Sequence, residues 1–380
     1  MERTLRTIDS DGHVLEPGDL WENYIEPKYR ENCLKVFMGD DGFQKLQVEK
    51  GMTVDFKPSD EDYRSLGSAG AIGARDDADS QNRYQLYEDG RKGGFDPHAR
   101  IPDMDMDGVD AAVLYPTLGL FLPALKDPGY AAAACRAYNK WLADYCKPYP
   151  NRLFGAAAIP LQSPELAVQE MRYAVEKLGY RAGFVRPNPY NGRRLYDREN
   201  DVFWKAAAEM DFAIGIHSSA FFPSYVASDR FENTSVCVNH LVEHTFEMMV
   251  AATGMIMCGP CDRFPALRVG FLEAGGGWIA GLLDRMDRHF DDVNMNDTEL
   301  KTRPSEIFGR QCFISFEPVE NSLKHLASYI GSKNILWATD YPHVDGFWGA
   351  VGMIEGMELQ PEVQNEILSG SAKRFYKLWG

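Results

Sequence analysis

The feature that most restricts the fold of this chain is a rhythm. Eight short, β-rich apolar runs alternate with longer amphipathic stretches: 4–11, 111–117, 153–161, 182–188, 212–218, 267–274, 312–318 and 334–342. Runs such as "AAVLY", "AGFV" and "CFISF" do not alternate between polar and apolar residues. That pattern suits parallel strands buried on both faces. The stretches between them, among them "GYAAAACRAYNKWLADYC", "SPELAVQEMRYAVEKLG" and "GWIAGLLDRMDRHF", carry helical periodicity. Eight β/α units in succession predict a (β/α)8 TIM barrel, and an open doubly wound sheet is the alternative. We expect one barrel domain over residues 1–380. Residues 18–100 are too long for an ordinary βα loop, and they read as a lid or substrate-binding insertion after strand one, or as a surface decoration.

The bulk chemistry narrows the partners. The chain is 44% hydrophobic and carries a net charge of −16. Nucleic acids and anionic membranes recruit basic surfaces, so neither is an expected partner. No apolar run reaches the roughly 20 residues of a membrane span. The opening "MERTLRTIDSD" lacks the apolar core of a signal peptide, and the seven cysteines are odd in number and scattered. A cytoplasmic protein with reduced thiols is expected.

In a barrel the chemistry sits at the C-terminal ends of the strands. Strand one ends in Asp9, Asp11, His13 and Glu16, strand four in Arg186 and Asn188, and strand five in His217. Strand six ends in Glu273, strand seven in Glu317, and strand eight in Asp340 with His343 behind it. His240 and His244 follow strand five. A lone histidine there is ordinarily a hydrogen-bonded structural residue, and a lone aspartate a helix cap. The joint pattern is different. Imidazole and carboxylate recur at one end of strands one, five, six and eight, and they are the ligand set of Zn, Fe, Mn or Co. Three carboxylates crowded into eight residues repel one another unless a positive charge sits among them.

These residues resemble a family. "D-x-H" after strand one, "IHS" after strand five, "RFPALRVGFLEAGGGWIAGLLDRMDR" at strand six, "WATDYPH" at strand eight and "ILSGSAKRFYKL" near the end are similar to the amidohydrolase superfamily. The similarity is to the branch related to aminocarboxymuconate semialdehyde decarboxylase, and it covers most of the chain outside the insertion. It implies a metal held by Asp11, His13, His217 and Asp340. Three departures stand out. Asp11 replaces the family's His or Glu. Ala274, beside Glu273, stands where the decarboxylases of the branch carry a catalytic His. His343 replaces an apolar or aromatic residue. Strand four also lacks the Lys that bridges the ions of other dinuclear amidohydrolases.

Asp9, Glu16, His244, Glu273 and His343 remain beyond the four ligands of one ion. A second ion would use them, with a carboxylate bridging; otherwise they surround one ion as hydrogen-bonding partners. The first functional expectation is hydrolysis of a small organic substrate by an activated water. Asp340 or Glu273 would take the proton, and His244 or Arg186 would stabilise the oxyanion. The second is a dinuclear iron-type monooxygenase with O2 as co-substrate. The third is non-oxidative decarboxylation of an aromatic or unsaturated acid, for which the resemblance supplies no proton donor. A barrel whose metal only stabilises it, or an inactive subunit supporting a partner, is the non-catalytic alternative. The apolar stretch 221–228 and the resemblance suggest a homodimer, or a heterodimer with a related chain.

Other motifs carry less. "CGPC" (258–261) reads as a helix stop rather than a redox motif, because an apolar helix precedes it. "DMDMDG" (103–108) lacks the Glu of a calcium loop at its twelfth position and reads as a helix start or turn. "GSAGAIG" (67–73) follows no strand. Gly275–Gly277 leaves strand six at a helix start, either to admit a substrate anion to backbone N–H groups or to permit close packing. Trp21, Tyr115, Phe222 and Trp278 either line an apolar pocket or pack in the core.

Overall fold

The structure is a computed structural model, and it describes residues 6–55, 66–72, 85–218, 231 and 236–378. Phe222 and the stretch 221–228 lie outside the described residues.

All eight anticipated strands form. Strand β1 (Ile8–His13) opens the chain. The insertion then contributes β2 (Lys35–Met38), β3 (Gln44–Glu49) and β4 (Met52–Asp55). The remaining barrel strands are β5 (Ala111–Tyr115), β6 (Leu153–Ala158), β7 (Ala182–Val185), β8 (Ala213–His217), β9 (Val269–Leu272), β10 (Cys312–Phe316) and β11 (Ile335–Trp337). They pair in the order β1-β5-β6-β7-β8-β9-β10-β11, every pair parallel. Nearly every residue in them is buried, as a sheet covered on both faces requires. The covering helices include α1 (Pro97–Asp107), α2 (Pro128–Cys146), α3 (Pro164–Tyr173), α4 (Asp201–Glu209), α5 (Val236–Met257), α6 (Ile279–Asp291) and α7 (Ser371–Tyr376). The architecture is a (β/α)8 barrel, and the open-sheet alternative falls away.

The two ends of the strand order, β1 and β11, meet in an unusual seam. It is bridged just past β11 by four bonds: Asp340 N–H to the Asp11 carbonyl (3.2 Å), His13 N–H to the Tyr341 carbonyl (2.6 Å), and the Thr339 N–H and hydroxyl to the Asp9 carboxylate (3.0 and 2.6 Å). The closure therefore runs through the same residues that carry the strand-end polar groups.

The insertion holds a small antiparallel sheet in the order β2-β3-β4. Its middle strand, "QKLQVE", alternates buried and half-buried residues, a period of two that marks a sheet with one face covered. "DMDMDG" turns out to end a helix, not to start one. Asp96 caps the N-terminus of α1 by accepting from His98 N–H, and Gly108 ends it in the left-handed conformation (φ 75°). "CGPC" behaves as expected: Gly259 stops α5 at φ 90° and Pro260 starts a new short turn of helix.

Candidate metal centre

The candidate centre begins with a kink in β1. The register against β5 shifts between Asp9 and Gly12, so the strand bulges there. Two further carboxylates arrive on strained backbone. Glu273, at the end of β9, has φ 48°, and Asp340, just past β11, has φ 54°. Left-handed backbone is costly for residues with a Cβ and persists where the surroundings demand it.

Seven side chains converge. His13 Nε2 lies 3.1 Å from Asp340 Oδ1, 3.6 Å from Asp11 Oδ1 and 3.3 Å from His217 Nε2. His217 Nε2 lies 3.3 Å from Asp11 Oδ1 and 3.2 Å from Glu273 Oε2. His343 Nδ1 is 3.0 Å from Asp340 Oδ1. His244, on α5, places Nε2 3.8 Å from Glu273 Oε1. Beneath them Tyr115 stacks on the His217 ring, with centroids 5.4 Å apart.

The histidine tautomers that the surrounding carbonyls select suit a cation at this cluster. His13 Nδ1 is 2.7 Å from the Pro116 carbonyl, and His217 Nδ1 is 2.6 Å from the Ser218 carbonyl. A carbonyl only accepts, so in the neutral ring each Nδ1 keeps the proton and each Nε2 presents a lone pair. The two lone pairs then face each other at 3.3 Å across a ring of carboxylate oxygens. Both Asp11 oxygens and Glu273 Oε2 are buried with no hydrogen-bond donor. So much unpaired acceptor chemistry fits a divalent cation, and imidazoles fixed through Nδ1 to a carbonyl are the usual form of metal-ligating histidine. Asp11–His13–His217, His13–Asp340–His343 and Glu273–Asp340–Asp345 each gather one potential ligand atom per residue within 4.8 Å of one another.

Without a cation the titrations are strongly biased. Burial, aided by the neighbouring His343, lowers the His13 imidazole to about 4. Burial, then His240, lowers His244 to about 3. Burial, then the Asp340 charge, raises Glu273 well above the ordinary carboxyl range. Burial also pulls Asp340 upward, but His343 and His13 outweigh it and the net direction is down. His343 mirrors this: burial lowers it and Asp340 more than compensates, so it is raised.

Two expected ligands are engaged elsewhere. Asp9 Oδ1 accepts from the N–H groups of Thr339 and Asp11, and Oδ2 accepts from the Thr339 hydroxyl at 2.6 Å. It is a seam residue, because the bulge after it separates its side chain from those of Asp11 and His13. Glu16 accepts from three successive N–H groups, those of Thr117, Leu118 and Gly119, and so organises the turn after β5. Arg186 is buried; its guanidinium donates to the Pro189 carbonyl and lies 5.4 Å from the Tyr190 ring. Asn188 beside it donates to Glu247 of α5. The Gly275–Gly277 nest is filled internally: the Glu320 carboxylate accepts from Gly276 and Gly277 N–H. Gly276 is also needed for packing, since a Cβ there would lie 2.3 Å from the Phe316 ring. Trp21 is fully buried and donates to the Ala134 carbonyl, so it is core. Trp278 is half-buried at the rim, bonded to the Ala274 and Gly275 carbonyls.

Asp345 is the group that sequence reasoning does not reach. It joins Glu273 and Asp340 in a candidate ligand group and lies 3.5 Å from His240. The available signal is the continuation of "DYPH" by "VD", which reads equally well as a solvated turn.

Comparison with known proteins agrees with this geometry. The amidohydrolase family model matches residues 8–378. A 2-amino-3-carboxymuconate-6-semialdehyde decarboxylase of Dictyostelium discoideum is 27% identical over 75% of this chain and 77% of its own length. An amidohydrolase of Mycobacterium avium subsp. paratuberculosis superposes with a TM-score of 0.82 at 22% identity, covering 98% of this chain and 100% of that one. A dihydroxybenzoic acid decarboxylase of Polaromonas sp. JS666, solved with bound manganese and the inhibitor 2-nitroresorcinol, superposes with a TM-score of 0.67 at 18% identity over 99% and 98% of the two chains. Barrel, histidine–carboxylate centre and family match converge, and the chain belongs to the amidohydrolase family of metal-dependent enzymes.

Proposed function

We propose that this enzyme is a non-oxidative carboxy-lyase acting on an aromatic or unsaturated carboxylic acid. The observation that carries this reading is the pairing of an open histidine–carboxylate centre with Glu273, whose Oε2 lies buried 3.2 Å from His217. The decarboxylases among the relatives favour it over hydrolysis. Asp11, His13, His217 and Asp340 would hold one divalent ion, and manganese occupies the Polaromonas relative. When bound, the ion supplies Lewis acidity toward the substrate's carboxylate and neighbouring oxygens.

The chain's own groups do the rest. Glu273 takes the proton-donor role that Ala274 cannot fill. It delivers its proton to the carbon bearing the carboxylate; the carbon–carbon bond then breaks, its electron pair returns to the π-system, and CO2 leaves. A water proton restores the Glu273 acid. His244, with Nδ1 committed to the His240 carbonyl, turns its Nε2 lone pair toward Glu273 and orients that carboxyl. Arg186 supplies positive charge at the end of β7, one residue past the Val185–Ile216 pairing and therefore level with His217.

The test is CO2 release from a panel of hydroxybenzoates in deuterated water. One deuterium should appear at the vacated carbon. Glu273→Gln should keep the ion and lose about 10²–10⁴-fold in rate, the usual worth of a general acid. A variant as fast as the parent would sink the assignment.

A second reading rests on Asp340, which belongs to two candidate ligand groups at once. With His343 on one side and Glu273 and Asp345 on the other, Asp340 would bridge two ions. A redox-active pair would support oxygen chemistry on a small molecule. Metal content per chain, measured by plasma mass spectrometry on protein purified without chelator, separates the readings. Two ions with substrate-dependent oxygen uptake favours the monooxygenase, and one ion retires it.

A further inference from the structure

Helix α1, which begins at the end of the insertion and runs past it, lies against the seam described above. Arg100, on α1, is 1% exposed. Its Nη1 donates to the His13 carbonyl at 2.5 Å, and its guanidinium carbon lies 4.6 Å from the Tyr341 ring. One side chain therefore touches both sides of the seam: β1, which carries Asp11 and His13, and the stretch after β11, which carries Asp340 and His343. Asp103, one turn further along α1, repeats the contact. Its Oδ2 accepts from the Tyr341 hydroxyl at 2.6 Å, while Arg91 clamps both its oxygens at 2.9 and 2.5 Å. The fit is close. A Cβ on Gly12 would lie 2.7 Å from both Arg100 Nη2 and Asp9 Oδ2, and a Cβ on Gly93 would meet the Tyr341 hydroxyl. The short helix before α1 is tied to the same place, with Leu15 N–H donating to the Gly94 carbonyl at 2.9 Å.

We infer that α1 is the clasp of the barrel, and that Arg100 is a positioning residue that holds the ligand-bearing ends of β1 and β11 in register. Elsewhere in the barrel a strand-to-strand ladder fixes neighbouring strand ends. Here the order of strands stops, and four bonds plus the clasp do that work. The His13 Nε2 to Asp340 Oδ1 distance of 3.1 Å spans the seam, so any splaying changes the ligand geometry directly. This gives the segment between β1 and β5 a role other than a lid: it braces the centre through the His13 carbonyl and Tyr341. The inference rests on the metal-centre reading for its consequence, but not for its geometry.

Two readouts test it on the full-length protein: the Mn²⁺ dissociation constant by calorimetric titration, and hydrogen exchange of peptides spanning residues 8–14 and 336–343 in chelator-treated protein. Arg100→Met keeps length and loses the donor. It should weaken Mn²⁺ binding about 10–100-fold, as loss of groups that orient metal ligands does, and speed exchange in both peptides. Arg100→Lys should recover part of both effects. Unchanged affinity and unchanged exchange in Arg100→Met would overturn the inference, whatever happens to its melting temperature. If Arg100→Met does not fold, Tyr341→Phe decides the matter: it removes the hydroxyl's bond to Asp103 and its contact with Arg91 while keeping the ring under Arg100, and faster exchange in both peptides supports the clasp while unchanged exchange refutes it. A parent protein that binds no Mn²⁺ would fail the metal-centre reading alone, because the exchange arm is read without metal.

Discussion

Asp11 makes the sharpest prediction, because its side chain is buried without a hydrogen-bond donor between two imidazoles. Both its oxygens are buried without a donor, and two imidazole lone pairs face it at 3.3 and 3.6 Å. In metal-free protein this arrangement is a cost. A buried polar group without a partner is worth about 1–3 kcal/mol of destabilisation. Asp11→Asn removes the charge, keeps the shape, and lets the amide donate to an Nε2 lone pair. Metal-free Asp11→Asn should therefore be more stable than the metal-free parent by about 1–3 kcal/mol. Unfolding entropy near 60 °C is about 2.1 cal/mol/K per residue, so for 380 residues one kcal/mol moves the melting temperature by about 1.3 °C. The expected rise is about 1–4 °C. The parent should respond to Mn²⁺ instead, gaining about 2.7 kcal/mol at a hundredfold excess over its dissociation constant. Scanning calorimetry of both proteins, chelated and with Mn²⁺, reads all four states. If chelated Asp11→Asn melts below the chelated parent, Asp11 has favourable partners in the empty centre and the reasoning fails.

Other outcomes follow from the same geometry. His244 is held at about 3, below the ordinary 6.5, so its contribution to stability is fully present above pH 6.5 and is lost as pH falls toward 3. Asp9, raised to about 6, and Glu16, raised to about 7, act in the opposite sense, since their contribution is lost as pH rises through those values. Only a difference isolates the histidine: the stability of the metal-free parent minus that of His244→Gln, from urea unfolding, should fall by about 2 kcal/mol between pH 6.5 and 5. A flat difference would show that His244 charges freely. Gly276→Ala, whose Cβ would press on the Phe316 ring, should cost about 1–3 kcal/mol in the same assay while leaving Mn²⁺ affinity within a few-fold.

The sequence by itself determined the parts of this protein that local chemistry decides. Apart from β1, whose "IDSDGH" is polar, the barrel strands are short, mostly apolar runs, so "AAVLY" and "CFISF" announce a covered parallel sheet wherever they are placed. Eight such runs in alternation with helices leave few architectures, and the clustering of imidazole and carboxylate at their ends is visible without coordinates. Tertiary structure decided which of those groups meet. Asp9 and Asp11 are indistinguishable as letters; the bulge between Asp9 and Gly12 gives one to Thr339, 330 residues away, and leaves the other among the histidines. Glu16 looks like a ligand until three N–H groups from the turn after β5 claim it. Glu273 and Asp340 reach the centre on left-handed backbone that neither residue prefers, a strain that only the surrounding barrel can impose. Asp345 and Arg100 are silent in the sequence for the same reason. Their neighbours come from strands and helices far along the chain, and a contact across the seam of a barrel has no local spacing by which to be read.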